Sequence, residues 1–433
     1  MRDPIQFART FGLSDAPDSA RDWAPLCLMD LVGVAAGGAQ TRLSQIIRDH
    51  AAAVMPGAQP MVFDGRRVSP LGQALALGMT IDALDGHDGF NPAKGHIGCG
   101  LLAGLVALWP EVAEPNPDAF LEAFILGYEL GGRLALTLHQ SVSDYHTSGA
   151  WIAVAVALVG ARLLGLDDDA TAHAAGIAEY HGPRSQMMRC IDHPTMVKDG
   201  SGWGAMTGVS AVLLARSGFT GAPALTLSGP PWHDLGTRWI ITEQYFKPYP
   251  VCRWAQSPVE AALDLRRAHN LVSTDVARVE IESFHEATRL AVNDPKTTEE
   301  AQYSTSFPTA VALVKGDVSA ADIADGALDD PEVRRLSEAM TMGEDAEAND
   351  AFPRRRLGKV RLFLTDGRIL ESPHVIPKWD PEMPATAAEL RGKFEALVTD
   401  AGGPGRLAEL DRALGRLPSE GPKPLIAALG QPL

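Results

Sequence analysis

Residues Trp151–Leu166 read WIAVAVALVGARLLGL, and the way that run folds decides the class of the whole chain. It is rich in Ala, Val and Leu, too long for an ordinary strand, and without a polar stripe on any helical face. A helix of that kind has no side to show to water, so it is expected inside an assembly of other helices. Arg162 interrupts the run, which is also shorter than the ~20 apolar residues a membrane span needs.

The same texture recurs on either side of it. Leu28–Ala39 (LMDLVGVAAGGA), Leu71–Leu84, Leu101–Trp109, Ala119–Leu138, Ala150–Leu164 and Gly204–Ala215 all read as helices rich in Ala, Leu and Gly. Gly200, Gly204 and Gly208 recur at i, i+4 and i+8. On a helix they make a flat strip for close backbone approach, at ~1 kcal/mol of helix propensity each. After about residue 270 the pattern changes. Val279 and Ile281 alternate with Glu280 and Glu282, as in a strand with one wet face. Val360, Leu362 and Leu364 alternate again, and Asp366-Gly367 offers a tight turn into Ile369 and Leu370. Ala301–Val314 between them reads as one helix. A Pro-rich passage (Pro373, Pro377, Pro381, Pro384) leads to Ala388–Leu397, helical again. The chain is therefore expected to be mainly α: a large all-α domain (residues 1–270 with 385–433) and a smaller α+β domain (271–384).

At 433 residues and 45% hydrophobic, the chain can bury two cores. Its formal charge is 38 − 54 = −16. A body so acidic repels phosphate backbones and anionic headgroups, which argues against nucleic-acid and membrane partners. An anionic substrate would need locally concentrated cations. Four cysteines without CxxC spacing (Cys27, Cys99, Cys190, Cys252) give no disulfide framework or zinc signature, and the N-terminus lacks a signal pattern. A cytoplasmic location is expected.

Three loops supply such cations. The first, between two apolar helices, runs from Asp85 through His87, Asp88 and Lys94 to His96. The second carries Asp144, Tyr145 and His146 ahead of the Trp151 helix, where a helix N-terminus favours an anion. The third contains Tyr180, His181, Arg184, Arg189, His193 and Lys198. Arg grips carboxylate in a bidentate fork, and His or a desolvated Lys moves protons. Any one histidine alone reads as a hydrogen-bonded structural residue; the clustering carries the functional reading. His87, Asp88 and His96 offer a competing metal reading, but HExxH is absent and the two histidines are nine residues apart on an irregular loop. No metal and no cofactor is expected. Gly200-Ser-Gly202-Trp-Gly-Ala205 matches the dinucleotide fingerprint only formally, because helical sequence surrounds it.

At these loops the sequence resembles the MmgE/PrpD family, which includes 2-methylcitrate dehydratase, cis-aconitate decarboxylase and iminodisuccinate epimerase. Leu28-Met-Asp30-Leu-Val-Gly33 resembles the family's early helix, Asp85–His96 its acidic loop ending in histidine, and Gly127-Tyr128-Glu129 its GYE element. His146 falls at H-x-T/S-G. Lys198 precedes a Gly-rich helix and Gly218-Phe219-Thr220-Gly221, and Lys247-Pro-Tyr249-Pro250-Val-Cys252 resembles KxYPxC. Ala301-Gln-Tyr303-Ser304, Lys378 and Lys393-Phe394 complete the order.

The resemblance implies that the α+β domain is a lid, that the molecule is a homodimer, and that a site at the domain junction uses Asp85, His96, His146, Lys198 and Lys247. The implied chemistry is that of a cofactor-independent lyase or isomerase, a dehydratase or epimerase working by acid–base proton transfer next to a carboxylate. Its substrate is then a small anionic di- or tricarboxylate. In this reading His96 and His146 exchange the proton, while Lys198 and Lys247 neutralise the anion. Asp85 orients a histidine, Arg184, Arg189, Lys94 and His87 grip substrate, and Tyr145 or Tyr303 supplies a phenol. The tyrosine of the family's decarboxylase falls on Phe307, and a phenyl ring cannot donate a proton. The alternatives are a cis-aconitate-type decarboxylase, a metal-dependent hydrolase and a catalytically inactive helical binding protein.

Overall fold

The helical body closes around backbones that touch. In the computed structural model, which describes residues 2–113 and 116–433, helix Ser201–Arg216 packs against Gly149–Leu163 and Pro70–Leu84. A Cβ at Gly204 would lie 2.4 Å from the Gly149 carbonyl oxygen, and one at Gly208 2.5 Å from that of Ala153. Only a residue without a side chain lets the helices come this close. Gly200 itself stands before the helix, as its N-cap with φ 66°. The Trp151 run lies in Gly149–Leu163, whose residues are all buried except Arg162. That guanidinium emerges at the helix end, where it donates to Glu122 at 2.7 Å and to two backbone carbonyls. No described helix is long and apolar enough to cross a membrane.

Helices Asp18–Gly38, Pro70–Leu84, Gly98–Leu108, Ala119–Ser141 and Asp168–His181 share this first core. It also takes in Leu390, Phe394 and Leu410 of the long C-terminal helix Ala387–Gly415, which kinks at Gly403 and Pro404. A small hairpin, β1 (Pro56–Pro60) with β2 (Arg67–Val68), lies on this body.

The second core belongs to a four-stranded sheet, ordered β4-β3-β5-β6, and its helices. Strand β3 (Val276–Ser283) pairs in parallel with β4 (Met340–Glu344) and antiparallel with β5 (Gly358–Leu364). Strand β6 (Ile369–Glu371) returns antiparallel to β5 through the expected turn, with Gly367 at φ 90°. Val279, Ile281, Val360 and Leu362 face inward, as their alternation requires.

Two elements differ from the sequence reading. The second core includes Tyr249, Val251, Val259 and Leu263, together with Met187, Cys190 and Ile191, so helix Gln256–His269, read from the sequence as part of the all-α domain, packs with the sheet. The helix expected over Ala301–Val314 is broken into Thr298–Gln302 and Ser306–Lys315. At the break Ser304 Oγ accepts the Phe307 backbone N–H at 3.0 Å, a local competitor for the helical ladder, and the chain turns Gln302 and Tyr303 towards the junction of the two cores.

Candidate active site at the domain junction

Helix Pro70–Leu84 ends because Asp85 adopts the left-handed conformation (φ 54°) as its C-cap. Lys94 (φ 56°) and Lys198 (φ 47°) are also left-handed. Such backbone is costly for a residue with a side chain and persists only where its surroundings fix it. At Asp85 the fixing group is Lys247, whose ammonium donates to the Asp85 carbonyl at 2.9 Å and to its Oδ1 at 2.8 Å. Burial acts upward on the Asp85 carboxyl, but Lys247, then Lys198 and His96, hold it below the ordinary range. Burial acts downward on Lys247, and Asp85 overrides it. Both groups are charged.

His96 is buried beside this pair. Its Nδ1 lies 2.5 Å from the Asp88 carbonyl oxygen, which can only accept; Nδ1 therefore carries the hydrogen and Nε2 presents a lone pair. Burial, then Lys247, pushes the imidazole down to about 3, so it is neutral at pH 7. The His96 backbone N–H is accepted by Ser148 Oγ at 2.9 Å, Ser148 donates to Asp199, and Asp199 Oδ2 is 3.9 Å from His96 Nε2. Asp199 is raised by burial. The Tyr245 hydroxyl approaches the same ring: a Cβ at Gly89 would be 2.4 Å from it and 2.8 Å from His96 Nδ1. The His87 ring lies tilted against it at 4.2 Å between centroids, with Asp82 Oδ1 3.7 Å from its Nε2, and neither of its nitrogens makes a hydrogen bond among the described residues. Asp85 Oδ2 and Asp199 Oδ1 are likewise buried and unpartnered. Orphaned polar atoms gathered in one place mark a site made for something else.

Lys198, also buried, donates to Gln302 Oε1 and sits 4.6 Å above the Tyr303 ring. Gln302 Nε2 in turn donates to the Ala83 carbonyl at 3.0 Å, so the helix break is tied to the body beside Asp85. Behind the loop the other sequence elements converge. Tyr128 of the GYE element donates to Asp88, and Glu129 accepts backbone N–H groups of Ile240 and Ile241. Lys393 donates to Asp30 Oδ1 and to the Gly86 carbonyl, each at 2.6 Å, joining the early helix to the closing one.

The expected site residues divide into two groups. Asp85, His87, His96, Lys198, Lys247 and Tyr303 come together in the buried layer. Lys94 and Tyr145 form an adjoining pair, the ammonium 4.4 Å from the ring centre and the phenol donating to Glu286. His146 is half-buried at the rim. Its backbone N–H reaches His139 Nε2 at 3.1 Å, its Nδ1 reaches the Asp144 carbonyl at 3.2 Å, and no hydrogen bond joins its ring to His96 among the described residues. Burial, then Arg184, lowers its basicity. Arg184 and Arg189 are exposed, Arg184 near His146 at the rim and Arg189 on the short helix Met187–Asp192, and neither is part of the buried layer. Ser148, Asp199, Tyr245, Gln302 and Arg356 belong to the junction and escaped the sequence reading. Asp199 and Gln302, each adjacent in sequence to a chosen residue, were the findable ones. Among the described residues no group of three or more His, Cys, Asp or Glu is placed to hold a metal ion.

Comparison with known proteins agrees with this arrangement. Residues 5–232 match the MmgE/PrpD N-terminal domain and residues 249–414 the MmgE/PrpD C-terminal domain. The second match takes in helix Gln256–His269 and the sheet it packs on. Among curated relatives, 2-methylcitrate dehydratase of Cupriavidus necator is 25% identical over 399 residues, covering 81% of this chain and 80% of the relative. 2-Methylcitrate dehydratase of Escherichia coli K12 is 24% identical over 400 residues with the same coverage, and the cis-aconitate decarboxylase-like protein oryM of Aspergillus oryzae 23% over 406 residues, covering 81% and 80%. Both domains matched in order along one chain, with their signature residues meeting at one junction, place this protein in the MmgE/PrpD family.

Proposed function

We propose that the chain is a lyase or isomerase that transfers a proton at the carbon next to a carboxylate of a small di- or tricarboxylate. One observation carries the reading: a neutral imidazole with its lone pair on Nε2 shares a buried layer of unpartnered polar atoms with two ammonium groups whose charges it feels. A bound carboxylate answers Lys198 and Lys247, and its negative charge raises the affinity of His96 for a proton. His96 Nε2 then takes the hydrogen of the adjacent carbon, and the electron pair moves into the carboxylate, where the two ammonium groups stabilise the enolate-like anion. In dehydration the pair returns to form C=C as hydroxide leaves from the neighbouring carbon and is protonated to water; in epimerisation the proton is redelivered to the opposite face. His146 or Tyr145, from the rim, supplies that second proton. The names of the relatives favour dehydration. A decarboxylase reading rests on Tyr303, whose ring lies against Lys198, because Phe307 is buried in the lid core and has no proton to give.

We further propose a cytoplasmic homodimer. The exposed side chains of Tyr180, Trp203, Leu214, Phe219 and Leu225 supply apolar surface of the kind a dimer buries.

The test is incubation with 2-methylcitrate, citrate, cis-aconitate and iminodisuccinate in D₂O, followed by NMR and ultraviolet absorption. Dehydration gives a new alkene absorbance, epimerisation gives deuterium at the α-carbon with the skeleton unchanged, and decarboxylation releases CO₂. No change in any acid would refute the assignment.

A further inference from the structure

The lid contributes an arginine for which the body provides no counter-charge. Arg356 is 1% exposed, yet no carboxylate stands in ion-pair range of it among the described residues. One of its Nη atoms donates to the Asn91 carbonyl at 3.1 Å, the other to the carbonyl of Pro353, and its Nε is buried with no partner. Carbonyls satisfy N–H groups without neutralising the charge. Lys94 is bound to the same point, since its backbone N–H also reaches the Asn91 carbonyl at 3.1 Å. Its ammonium has no ion-pair partner among the described residues and rests on the Tyr145 ring. The nearby carboxylate, Asp380, is taken by Arg253 at 3.1 Å and by the Asn91 side chain at 2.9 Å. Two cations without an ion-pair partner among the described residues thus come from Arg356, anchored on the Asn91 carbonyl, and from Lys94, three residues further along the loop that carries His96, in a protein of net charge −16.

We propose that Arg356 and Lys94 form a second carboxylate subsite beside the proton-transfer layer, so that the substrate carries at least two carboxylates, one held there and one at Lys198 and Lys247. The proposal rests on the reading of His96 and the two lysines as the reacting centre of an enzyme for di- or tricarboxylates, and adds which residues hold the carboxylate remote from the reacting carbon. A guanidinium offers a bidentate fork to a carboxylate, and the low-polarity surroundings strengthen the pairing. Burial, then the neighbouring Arg356 charge, depresses the Lys94 ammonium while Glu286 acts the other way, and a bound carboxylate adds to the Glu286 side. Because Arg356 comes from the lid and Lys94 from the body, a polycarboxylate also bridges the two domains.

Isothermal titration of the full-length protein with tricarballylate and with butyrate tests this. Arg356→Gln is expected to weaken tricarballylate binding about tenfold or more while butyrate, which needs only the lysine pair, binds as to wild type. Lys94→Gln, a half-buried side chain that no protein hydrogen bond requires, is expected to act in the same direction and keeps the test available should Arg356→Gln fail to fold by circular dichroism. Tricarballylate affinity within about threefold of wild type in the folded variants, or butyrate falling in step with it, overturns the subsite alone. A wild-type protein that binds neither acid overturns the reacting centre as well.

Discussion

His96 shows how environment, and not residue type, sets a proton-transfer group. The Asp88 carbonyl fixes its tautomer and Lys247 with burial keeps it uncharged, so it waits as a base whose strength rises when an anion arrives. Replacing it by Gln removes the lone pair; His96→Gln is expected to fold with wild-type circular dichroism and to lose over ~100-fold in kcat, the usual worth of one positioned proton carrier. The same loss is expected of Lys198→Ala and His146→Ala, and full activity in both would move the site elsewhere. Asp88 gives a prediction with a pH sign. Burial raises its carboxyl to about 7 against an unfolded value of ~3.9. The folded state therefore holds the proton more tightly, and the stability this group contributes is present below pH 4 and lost as pH rises towards 7. Asp88→Asn keeps a partner for Tyr128 without that loss. In urea titrations its stability relative to wild type should climb between pH 4 and 7 by a few kcal/mol, at ~1.4 kcal/mol per pKa unit; a flat difference would show Asp88 ionised throughout. The residues that clustered in Gly-punctuated loops were legible in the sequence. That Arg184 and Arg189 stand exposed, outside the buried layer, was not legible, because exposure is a property of the fold. Arg356 was missed because Arg354-Arg355-Arg356 reads as a solvated charge run, of which the structure buries only the third.

Among the elements, the helices of the body were legible because their apolar runs match their lengths, and the hairpin was legible from Asp-Gly between alternating segments. Helix breaks were not. Nothing in AQYSTSF separates one helix from two, since the competitor is a serine side chain and the reward, Gln302 and Tyr303 against Lys198, comes from a distant segment. Gln302 acts through Lys198 as a positioning residue. Gln302→Ala is expected to lower kcat about tenfold by loosening the ammonium, with Gln302→Glu recovering part of it; equal loss in both would mean a merely structural role. The glycine strip makes the matching prediction for stability. Gly204→Ala forces a methyl to 2.4 Å from a backbone oxygen that cannot rotate away, and is expected to cost about 2–3 kcal/mol in urea midpoint analysis in spite of alanine's better helix propensity. Gly392, with nothing near its absent side chain, is the control: Gly392→Ala should be neutral or stabilising.

Over the whole molecule, the junction is a polar layer between two apolar cores. Lys198–Gln302–Ala83, Arg253–Asp380–Asn91 and Arg356–Asn91 each tie the sheet-bearing unit to the body. Each core is stabilised by its own burial; the layer between them adds specific, directional contacts, and within it sit cations that an acidic protein leaves without partners. The domain order was legible as a change of texture, whereas the place of helix Gln256–His269 was not, because it looks the same in either unit and only the sheet it packs on decides. The central claim is that this layer holds a carboxylate against His96. A crystal structure of the wild-type protein soaked with tricarballylate tests it most directly. One carboxylate is expected on the Lys198 and Lys247 ammonium groups, with the adjoining carbon facing His96 Nε2 and a second carboxylate on Arg356. Ligand bound anywhere outside the junction, with these cations left bare, would contradict it.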